Sequence, residues 1–381
     1  MDSGLYIHIP FCRSKCRYCS FVSVPYARAE GDRYQRALLC EIAGAHPGPR
    51  EDRAKADTIY FGGGTPSLVP AEHLAALLDQ CRSSYDVSAD CEISMEANPG
   101  TVDAGMLFVV RAAGVNRISL GAQSFSGEEL AAVGRIHTPE EIGRSMRMLR
   151  AAGFDNVSLD LILGLPGQTG RRWRATLDRA IALEPSHLSL YMLELDGGTP
   201  LARELSTGAR SVPGEDAVAD WYLFSIEHLA ARGYHQYEIS NFARGGCECR
   251  HNLKYWQRRP VLGFGVAAHS FDGRSRSGNI ADLDRYLMAL ESGRDAVEWR
   301  SPCNAESELE ELFFLGLRLN RGLHWDEIRE KYAGGAIGAC EAAIRESVEL
   351  GLLEHQHGVV RLTRRGMLIS NEVFQRFIFG T

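Results

Sequence analysis

Short apolar, β-branched runs recur through the first half of the chain, and each ends in a turn signal. They are LYIHIPF (5–11), TIYFGGG (58–64), EISMEANP (92–99), RISLGAQS (117–124), VSLDLILGLPG (157–167) and HLSLYMLEL (187–195). Amphipathic stretches of helical period lie between them. Strands that alternate with helices predict a parallel sheet with right-handed crossovers. Six such units predict an α/β fold based on a partial (β/α)6 barrel of the TIM type, open instead of eightfold.

Two of the intervening helices carry clear start signals. Ser126 precedes Glu129 by three residues, and Thr138 precedes Glu141 by the same spacing. Each pair has the spacing of a capping box, in which the two side chains satisfy each other's backbone N–H groups. Pro139 stands at the first position of the second helix, where its fixed φ is favourable. The pattern therefore predicts helices that begin directly after residues 126 and 138.

The pattern changes after about residue 220, where strand and helix no longer alternate regularly. WYLFSIEHLAARGYHQYEISNFA (221–243) predicts a helix and then a strand, and VLGFGVAAHSFDG (261–273) predicts a buried strand and a glycine turn. From about residue 305 the pattern is helical, and LGLLEHQHGVVRLTRRG (350–366) predicts a hairpin before a last helix. We therefore expect a barrel core over 1–220, a barrel-completing segment over 221–300, and a C-terminal helical, winged-helix-like domain over 301–381.

Composition and charge narrow the class of protein. The 381 residues are 24% charged and 45% hydrophobic, and the formal net charge of −7 argues against broad nucleic-acid binding. No apolar run reaches the length of a membrane span, and the few residues before the first strand leave no room for a signal peptide. We therefore expect a cytoplasmic protein, whose ten cysteines are reduced thiols or metal ligands instead of disulfides.

Cys12, Cys16 and Cys19 form a C-x3-C-x2-C cluster in a turn that is rich in Lys and Arg. A structural zinc site takes four protein ligands, and a catalytic one takes three and a water. An iron–sulfur cube takes one thiolate per iron, so three cysteines leave one iron open to a small molecule with an amino and a carboxylate group. The spacing favours the cube; a zinc site with His8 as the fourth ligand, or plain packing, remains an alternative.

A series of motifs resembles a known family. YIHIPFC, YFGGGTPS, SLGAQSF, LDLILGLPGQT and YEISNFAR, in this order, are similar to the coproporphyrinogen-oxidase-like branch of the radical S-adenosylmethionine superfamily. The resemblance covers nearly the whole chain. It implies a [4Fe-4S] cluster on Cys12, Cys16 and Cys19, with S-adenosylmethionine on the fourth iron. The residues that it implies around S-adenosylmethionine are Tyr6, Gly63, Gly64, Thr65, Glu96, Gln123, Arg135 and Asp160.

The resemblance also implies a division of roles among these residues. The glycines and Thr65 would meet the amino group, and the lack of side chains at Gly63 and Gly64 would let the backbone come close. No Lys-Ser or Lys-Thr pair follows the glycines, so they do not form a phosphate-binding loop. Arg135 suits the methionine carboxylate, since a guanidinium can grip it through two hydrogen bonds.

Two departures from the porphyrinogen-oxidising members point to another group in the same branch. Those members continue the cysteine loop as C-x-C, whereas this chain has Phe21 after Ser20, and only eleven residues precede Cys12. Both departures match the heme-chaperone members, as does HNLKYW at 251–256, called the hexapeptide below. The resemblance therefore implies a chaperone without coproporphyrinogen dehydrogenase activity, which binds heme and transfers it to apo-hemoproteins such as respiratory enzymes. It also implies transient membrane contact and a homodimer when the cluster is loaded.

The hexapeptide has the chemistry of a heme contact. His251 can offer an imidazole to iron, and Tyr255 and Trp256 offer flat apolar surface, with Asn252 beside them. Residues 244–259 carry five Arg or Lys residues against one Glu, which suits two propionates. Cys247 and Cys249 are either further iron ligands or packing residues. Two enzymatic alternatives stay open: an oxygen-independent coproporphyrinogen III dehydrogenase, and a radical enzyme that opens or methylates the heme ring.

Overall fold

The computed structural model describes residues 2–45, 53–332 and 335–379. Its strands, in chain order, are β1 (Ser3–Ile9), β2 (Phe11–Cys12), β3 (Val24–Pro25), β4 (Lys55–Gly63), β5 (Asp86–Ala97), β6 (Arg117–Gln123), β7 (Asn156–Leu163), β8 (His187–Met192), β9 (His235–Gln236), β10 (Asn241–Ala243), β11 (Val261–Phe264), β12 (His269–Phe271), β13 (Ser275–Asn279), β14 (Val297–Pro302), β15 (Leu323–His324), β16 (Leu353–Gln356) and β17 (Val359–Leu362).

The helices pack around these strands, and a 3-10 turn at Pro66–Leu68 follows β4. They are α1 (Arg28–Gly44), α2 (Ala71–Ser84), α3 (Ala104–Ala113), α4 (Gly127–Ala132), α5 (Pro139–Ala151), α6 (Gly170–Ala182), α7 (Pro200–Ser206), α8 (Glu215–Ala230), α9 (Arg250–Trp256), α10 (Leu283–Glu291), α11 (Ala305–Gly316), α12 (Trp325–Lys331), α13 (Gly335–Glu349), α14 (Arg364–Leu368) and α15 (Ser370–Gln375).

One large sheet dominates the described part of the chain. Its order is β14-β13-β12-β11-β1-β4-β5-β6-β7-β8-β10-β9. The six strands β1, β4, β5, β6, β7 and β8 are parallel neighbours in chain order, and β11 adds a seventh parallel strand beside β1. The order has two edges, so this sheet does not close within the described residues. The predicted α/β fold with an open, partial (β/α)6 barrel is confirmed.

The parallel strands have an apolar face and a polar face. On β7, Val157, Leu159 and Leu161 belong to the main hydrophobic core, whereas Ser158 and Asp160 alternate with them on the other face. Parallel strands that are covered on both faces normally read as continuous apolar runs. Here the alternation means that helices cover the outer face, while the inner face of the barrel is lined by polar side chains. We call the space inside this face the chamber.

The predicted strands are present, but several bounds differ from the sequence pattern. β1 ends at Ile9 instead of residue 11, and β2 begins at Phe11. Pro10 separates them because it has no N–H to continue the ladder. The C-terminal hairpin is present as β16 and β17, and β15 joins β17 to form a three-stranded wing. The predicted last helix is two short helices, α14 and α15.

The two predicted capping boxes have different outcomes. Thr138 and Glu141 form the complete box at the start of α5, as expected. Ser126 accepts a hydrogen bond from the N–H of Glu129, but the Glu129 carboxylate does not return to the cap. The Glu129 carboxylate is fully buried and instead accepts hydrogen bonds from Ser124 (2.6 Å) and Gln168 (3.1 Å).

A separate hydrophobic cluster lies in the C-terminal part of the chain. It is built on Leu309, Phe313, Trp325, Val360 and Phe377 with their neighbours. β14 (Val297–Pro302), however, pairs with β13 and so extends the large sheet across the boundary expected at 300/301. The three proposed domains, with their boundaries at 220/221 and 300/301, stay predictions. Among the described residues, no helix has both the length and the apolar character needed to cross a bilayer.

Candidate functional site

The cysteine cluster lies where the first parallel strand ends. Cys12 is on β2, which pairs with β3 and so fixes both ends of the loop that carries Cys16 and Cys19. All three thiols are half-buried and form no disulfide. Burial raises the pKa of the Cys19 thiol above its ordinary value, and the nearby Cys16 and Cys12 act in the same direction. The fold therefore brings the three predicted thiols together at the carboxyl end of the sheet.

A chain of hydrogen bonds connects two of these cysteines through residues from other strands. Thr65, after β4, donates to Sγ of Cys12 at 3.7 Å and accepts from Nδ2 of Asn98 at 2.8 Å. Arg135 donates to Oδ1 of Asn98 at 2.5 Å, to the carbonyl of Gly121, and to Sγ of Cys16 at 3.5 Å. Its Nε is buried without a partner. The predicted site residues Thr65 and Arg135 thus lie directly beside the cysteines.

Gly63 and Gly64 are required by the packing of the protein itself. Gly63 has φ +107°, and a Cβ there would overlap the ring of His8. A Cβ on Gly64 would lie 2.6 Å from the carbonyl oxygen of Phe11. The N–H groups of Gly63, Gly64 and Thr65 donate to Glu96, Ile9 and Phe11. An amino group is a donor, so the amino group of a ligand bound here would need the carbonyl oxygens of this turn as acceptors.

Glu96 and Asp160 place two carboxyl groups in the chamber. Oε1 and Oε2 of Glu96 accept from Tyr60 (3.0 Å) and from the N–H of Gly63 (3.1 Å). Burial, and then the charge of Asp160, raise the pKa of Glu96 to about 7. Asp160 accepts from Ser119 at 2.8 and 3.0 Å, and burial raises its pKa. These two acceptors are suited to the hydroxyl groups of a polar ligand.

Tyr6 and His8 are committed to each other on the inner face of β1. The Tyr6 hydroxyl lies 3.1 Å from Nδ1 of His8, and Nε2 of His8 lies 3.0 Å from the carbonyl oxygen of Val22. Both ring nitrogens of His8 are therefore engaged, so zinc ligation by His8 would cost one of these two hydrogen bonds. The described residues contain no group of three or more His, Cys, Asp or Glu side chains placed to hold a metal ion. A cube needs no such convergence, since each thiolate binds a different iron.

Gln123 holds a strained position at the end of β6. It has φ +61° and lies at an irregularity in the pairing of β6 with β7. Left-handed backbone is rare for residues other than glycine, and it persists only where the surroundings impose it. A Cβ on Gly121 would meet Nε2 of Gln123 at 2.9 Å and Arg135 at 3.0 Å. The Gln123 amide thus lies next to the Asn98–Arg135 pair.

The hexapeptide forms most of helix α9, at the opposite end of the sheet from the cysteines. Nδ1 of His251 lies 2.9 Å from the Thr58 hydroxyl, and Nε2 lies 3.3 Å from the hydroxyl of Tyr255. The His251 ring also stacks on Tyr60 with a centroid distance of 5.1 Å. Burial, and then the charges of Lys254 and Arg117, lower the pKa of His251 to about 3. Its imidazole is therefore neutral near pH 7.

The other predicted heme residues are half-buried on the same helix. Tyr255 contacts the His251 ring edge-on at 5.4 Å, and the Arg318 guanidinium lies 4.4 Å from the ring centre of Trp256. Asn252 is half-buried beside them, and Nε1 of Trp256 is buried without a partner. The structure thus brings these four residues together, but with His251 facing the protein interior.

The basic residues of 244–259 are mostly paired with groups outside the segment. Lys254 binds Asp57 at 2.5 Å, Arg250 binds Asp90 at 3.5 Å, and Arg258 binds Glu311 at 2.6 Å. Arg244 lies over the ring of Tyr234. Most of the basic side chains that were expected to bind two propionates therefore already have partners within the protein. Cys249 is buried with a pKa raised to about 12 by burial, which favours the packing interpretation, and Cys247 is half-buried.

Several residues of the site were not assigned a contact from the sequence. Asn98 joins Thr65 to Arg135, and the inner faces of the strands also place polar groups in the chamber. These inner-face residues are Thr58, Tyr60, Glu92, Ser94, Arg117, Ser119, Ser158 and His187. A signal was available, because polar residues occupy alternate positions in Glu92-x-Ser94-x-Glu96 and Ser158-x-Asp160.

Two parts of the chain match known protein families. Residues 6–180 match the Radical SAM superfamily, and residues 304–369 match the HemN C-terminal domain. The chain is 35% identical to heme chaperone HemW of Bacillus subtilis (strain 168) over 378 residues, which is 98% of each protein. It is 36% identical to heme chaperone HemW of Escherichia coli (strain K12) over 398 residues, again 98% of each. It is also 30% identical to the mitochondrial radical S-adenosyl methionine domain-containing protein 1 of Bos taurus, over 97% of this chain and 86% of that one.

The fold is similar to a solved structure of coproporphyrinogen III oxidase (HemN) from Escherichia coli, a radical SAM enzyme. The superposition has a TM-score of 0.86 and covers 99% of this chain and 90% of that one. The sequences are 24% identical, so this likeness shows the fold alone.

Proposed function

Because the chain belongs to the radical SAM superfamily and, within it, to the family of HemW heme chaperones, we propose that it is a heme chaperone. It binds heme and hands it to apo-hemoproteins such as respiratory enzymes, from the cytoplasm and with only transient contact to membranes. The observation that carries this proposal is the similarity over 98% of the chain to proteins named heme chaperones. Phe21 supports it, since it stands, 64% exposed, where the porphyrinogen-oxidising members have a cysteine.

The donor set at the carboxyl end of the sheet fits a [4Fe-4S] cluster with S-adenosylmethionine. Cys12, Cys16 and Cys19 would hold three irons, and the open iron of the bound cluster would chelate an amino and a carboxylate group. Arg135, whose buried Nε has no partner, would hold the methionine carboxylate. Glu96 and Asp160 would accept from the ribose hydroxyls. Tyr6, Gln123 and the turn at 63–65 complete the proposed cofactor contacts.

Heme would lie against the hexapeptide, and His251 would supply the imidazole that binds its iron. A neutral imidazole is the form that binds iron, and the lowered pKa of His251 keeps it neutral at physiological pH. Both ring nitrogens are hydrogen-bonded, so ligation exchanges one of these bonds for iron. The contact of Nε2 with Tyr255, at 3.3 Å, is longer than that of Nδ1 with Thr58 and is the one we expect to open.

Heme titration into the anaerobically reconstituted protein tests the function. We expect one heme to be retained per chain, followed by its transfer to an apo-hemoprotein, with no conversion of coproporphyrinogen III. Conversion of coproporphyrinogen III at a useful rate would instead identify a dehydrogenase. Loss of the visible heme spectrum under reducing conditions would identify an enzyme that opens the ring. Failure to retain heme in any state would overturn the proposal.

The variant His251→Ala tests the ligand. We expect weaker heme retention and a shifted Soret band, with unchanged iron and sulfide content, because the cysteines lie at the other end of the sheet. His355→Ala is the control, since His355 is exposed on the C-terminal hairpin. A His251→Ala protein with the wild-type spectrum and retention would place the axial ligand elsewhere.

A further inference from the structure

Arg117 is a buried cation that faces the charge of Glu92 without forming an ion pair with it. It begins β6 on the inner face of the sheet and is 2% exposed. Among the described residues its guanidinium forms no ion pair, and its Nε is buried without a hydrogen bond. A buried charge is costly unless it is paired. Burial lowers the pKa of Arg117, but the nearby Cys249 and Glu92 raise it above its ordinary value. The buried Nε still lacks an acceptor, which indicates a further anionic partner from outside the polypeptide.

The carboxylate next to Arg117 is committed elsewhere. Glu92, on the inner face of β5, accepts from the backbone N–H groups of Arg250 and His251, each at 3.1 Å. It also accepts from the thiol of Cys249 at 3.7 Å. Glu92 thus satisfies the first N–H groups of α9 and holds the hexapeptide against the sheet. This leaves the guanidinium of Arg117 available to another acid.

A second unpartnered donor lies beside Arg117. Ser94 on β5 is the register partner of Arg117 on β6, so the two side chains project from the same face of neighbouring strands. The hydroxyl of Ser94 is fully buried and has no hydrogen-bond partner. Tyr60, the register partner of Ser94 on β4, is half-buried although strands flank it on both sides, so the chamber reaches this layer.

We propose that Arg117 and Ser94 bind a carboxylate of the ligand that enters the chamber. The guanidinium offers two parallel N–H donors that match the two oxygens of a carboxylate, and the serine hydroxyl adds a third. The inference rests on the proposed function, so the carboxylate is a propionate of heme. This role suits Arg117 because the basic residues of 244–259 are largely paired with acids of the protein.

Heme and its dimethyl ester, compared on wild-type protein and Arg117→Met, test the propionate contact. Esterification removes the negative charges and keeps the macrocycle. We expect the wild type to bind the ester about ten- to a hundredfold more weakly than heme, the range of a charge-assisted hydrogen bond. Arg117→Met should bind both at the weaker level. Equal binding of heme and ester by the wild type, or an equal preference in both proteins, would overturn the inference.

A thermal-shift titration with sodium propionate, at constant ionic strength, tests the carboxylate site without heme. We expect propionate to raise the melting temperature of the wild type and to leave that of Arg117→Met unchanged. Arg276→Met is the control, because Arg276 is already paired with Glu311, and it should respond as the wild type does. If the wild type retains no heme, the proposed function fails, and the propionate response still decides the role of Arg117. A response that survives in Arg117→Met overturns that role.

Discussion

The glycines after β4 can be required either for the approach of a ligand or for the packing of the protein itself. The family resemblance implied that Gly63 and Gly64 let a ligand approach the backbone. In the structure, the space that a Cβ would fill is occupied by the His8 ring and by the backbone of Phe11. Short-range sequence reasoning could identify these positions, but not their contacts, because the neighbours come from a strand more than fifty residues away.

The substitution Gly63→Ala tests this packing. We expect a loss of about 2 kcal/mol or more in the free energy of unfolding, since an alanine at positive φ is strained and its Cβ would strike the His8 ring. A displaced His8 ring would also lose its contact with the carbonyl oxygen of Val22 in the cysteine loop, so the iron content after reconstitution should fall. Urea unfolding and iron analysis measure the two effects.

Gly127→Ala is the matched control for that substitution. Gly127 is in the first turn of α4, a Cβ there would have open space around it out to 4 Å, and its φ is not positive. We expect the free energy of unfolding of Gly127→Ala to equal that of the wild type or to exceed it by up to about 1 kcal/mol, because alanine favours the helix. Equal stability of the two variants would show that the contact with His8 is unimportant.

At the scale of helices and strands, the sequence was informative wherever a local pattern decides the structure. The six parallel strands, the cap at Thr138 and the C-terminal hairpin all follow from period, capping and turn signals. The contents of the chamber do not follow from such signals. Glu92 accepts from the first N–H groups of α9 although it lies more than 150 residues earlier in the chain. The Glu129 carboxylate accepts from Ser124 and Gln168 instead of completing the capping box of α4. Tertiary partners decide these contacts.

Glu41 connects several elements and makes stability depend on pH. Its carboxyl group, on α1, accepts from the N–H of Gly265 (2.8 Å), from Asn279 (2.6 Å) and from the hydroxyl of Tyr286 (2.6 Å). Burial raises its pKa from 4.5 to about 7. Its stabilising contribution is complete below about pH 4.5 and is lost as the pH rises to about 7, because the unfolded chain ionises first. The loss is about 3 kcal/mol.

Comparison of the wild type with Glu41→Gln separates the pH-dependent stabilisation by Glu41 from that by Glu96, whose pKa is also raised. We expect the free energy of unfolding of the wild type, relative to the variant, to fall between pH 4.5 and pH 7 and then to level off. Urea unfolding at a series of pH values measures it. Parallel curves for the two proteins would mean that Glu41 is ionised throughout.

At the scale of the whole molecule, the two signature motifs occupy opposite ends of one sheet. His251 is next to Thr58 and the cysteines are next to Thr65, while β4 runs between them up to Gly63. Five residues of strand from position 58 to 63 span about 17 Å. The sequence predicted both motifs, but not this separation, because it depends on where α9 returns to the sheet. A long-range pairing such as Lys254 with Asp57 sets that position.

This separation predicts that the two sites can be lost independently. Cys16→Ala should remove the cluster absorption and leave heme retention intact. His251→Ala should weaken heme retention and leave the cluster absorption intact. Sites more than about 10 Å apart with no shared partner are usually additive within about 0.5 kcal/mol. The double variant should therefore show the sum of the two effects in heme affinity and in iron content. The stacked rings of Tyr6, Tyr60 and His251 are the physical connection between the ends. A coupling energy between the two substitutions well above 0.5 kcal/mol, and its loss in the Tyr60→Leu background, would show that heme binding and cluster binding are coupled through these rings.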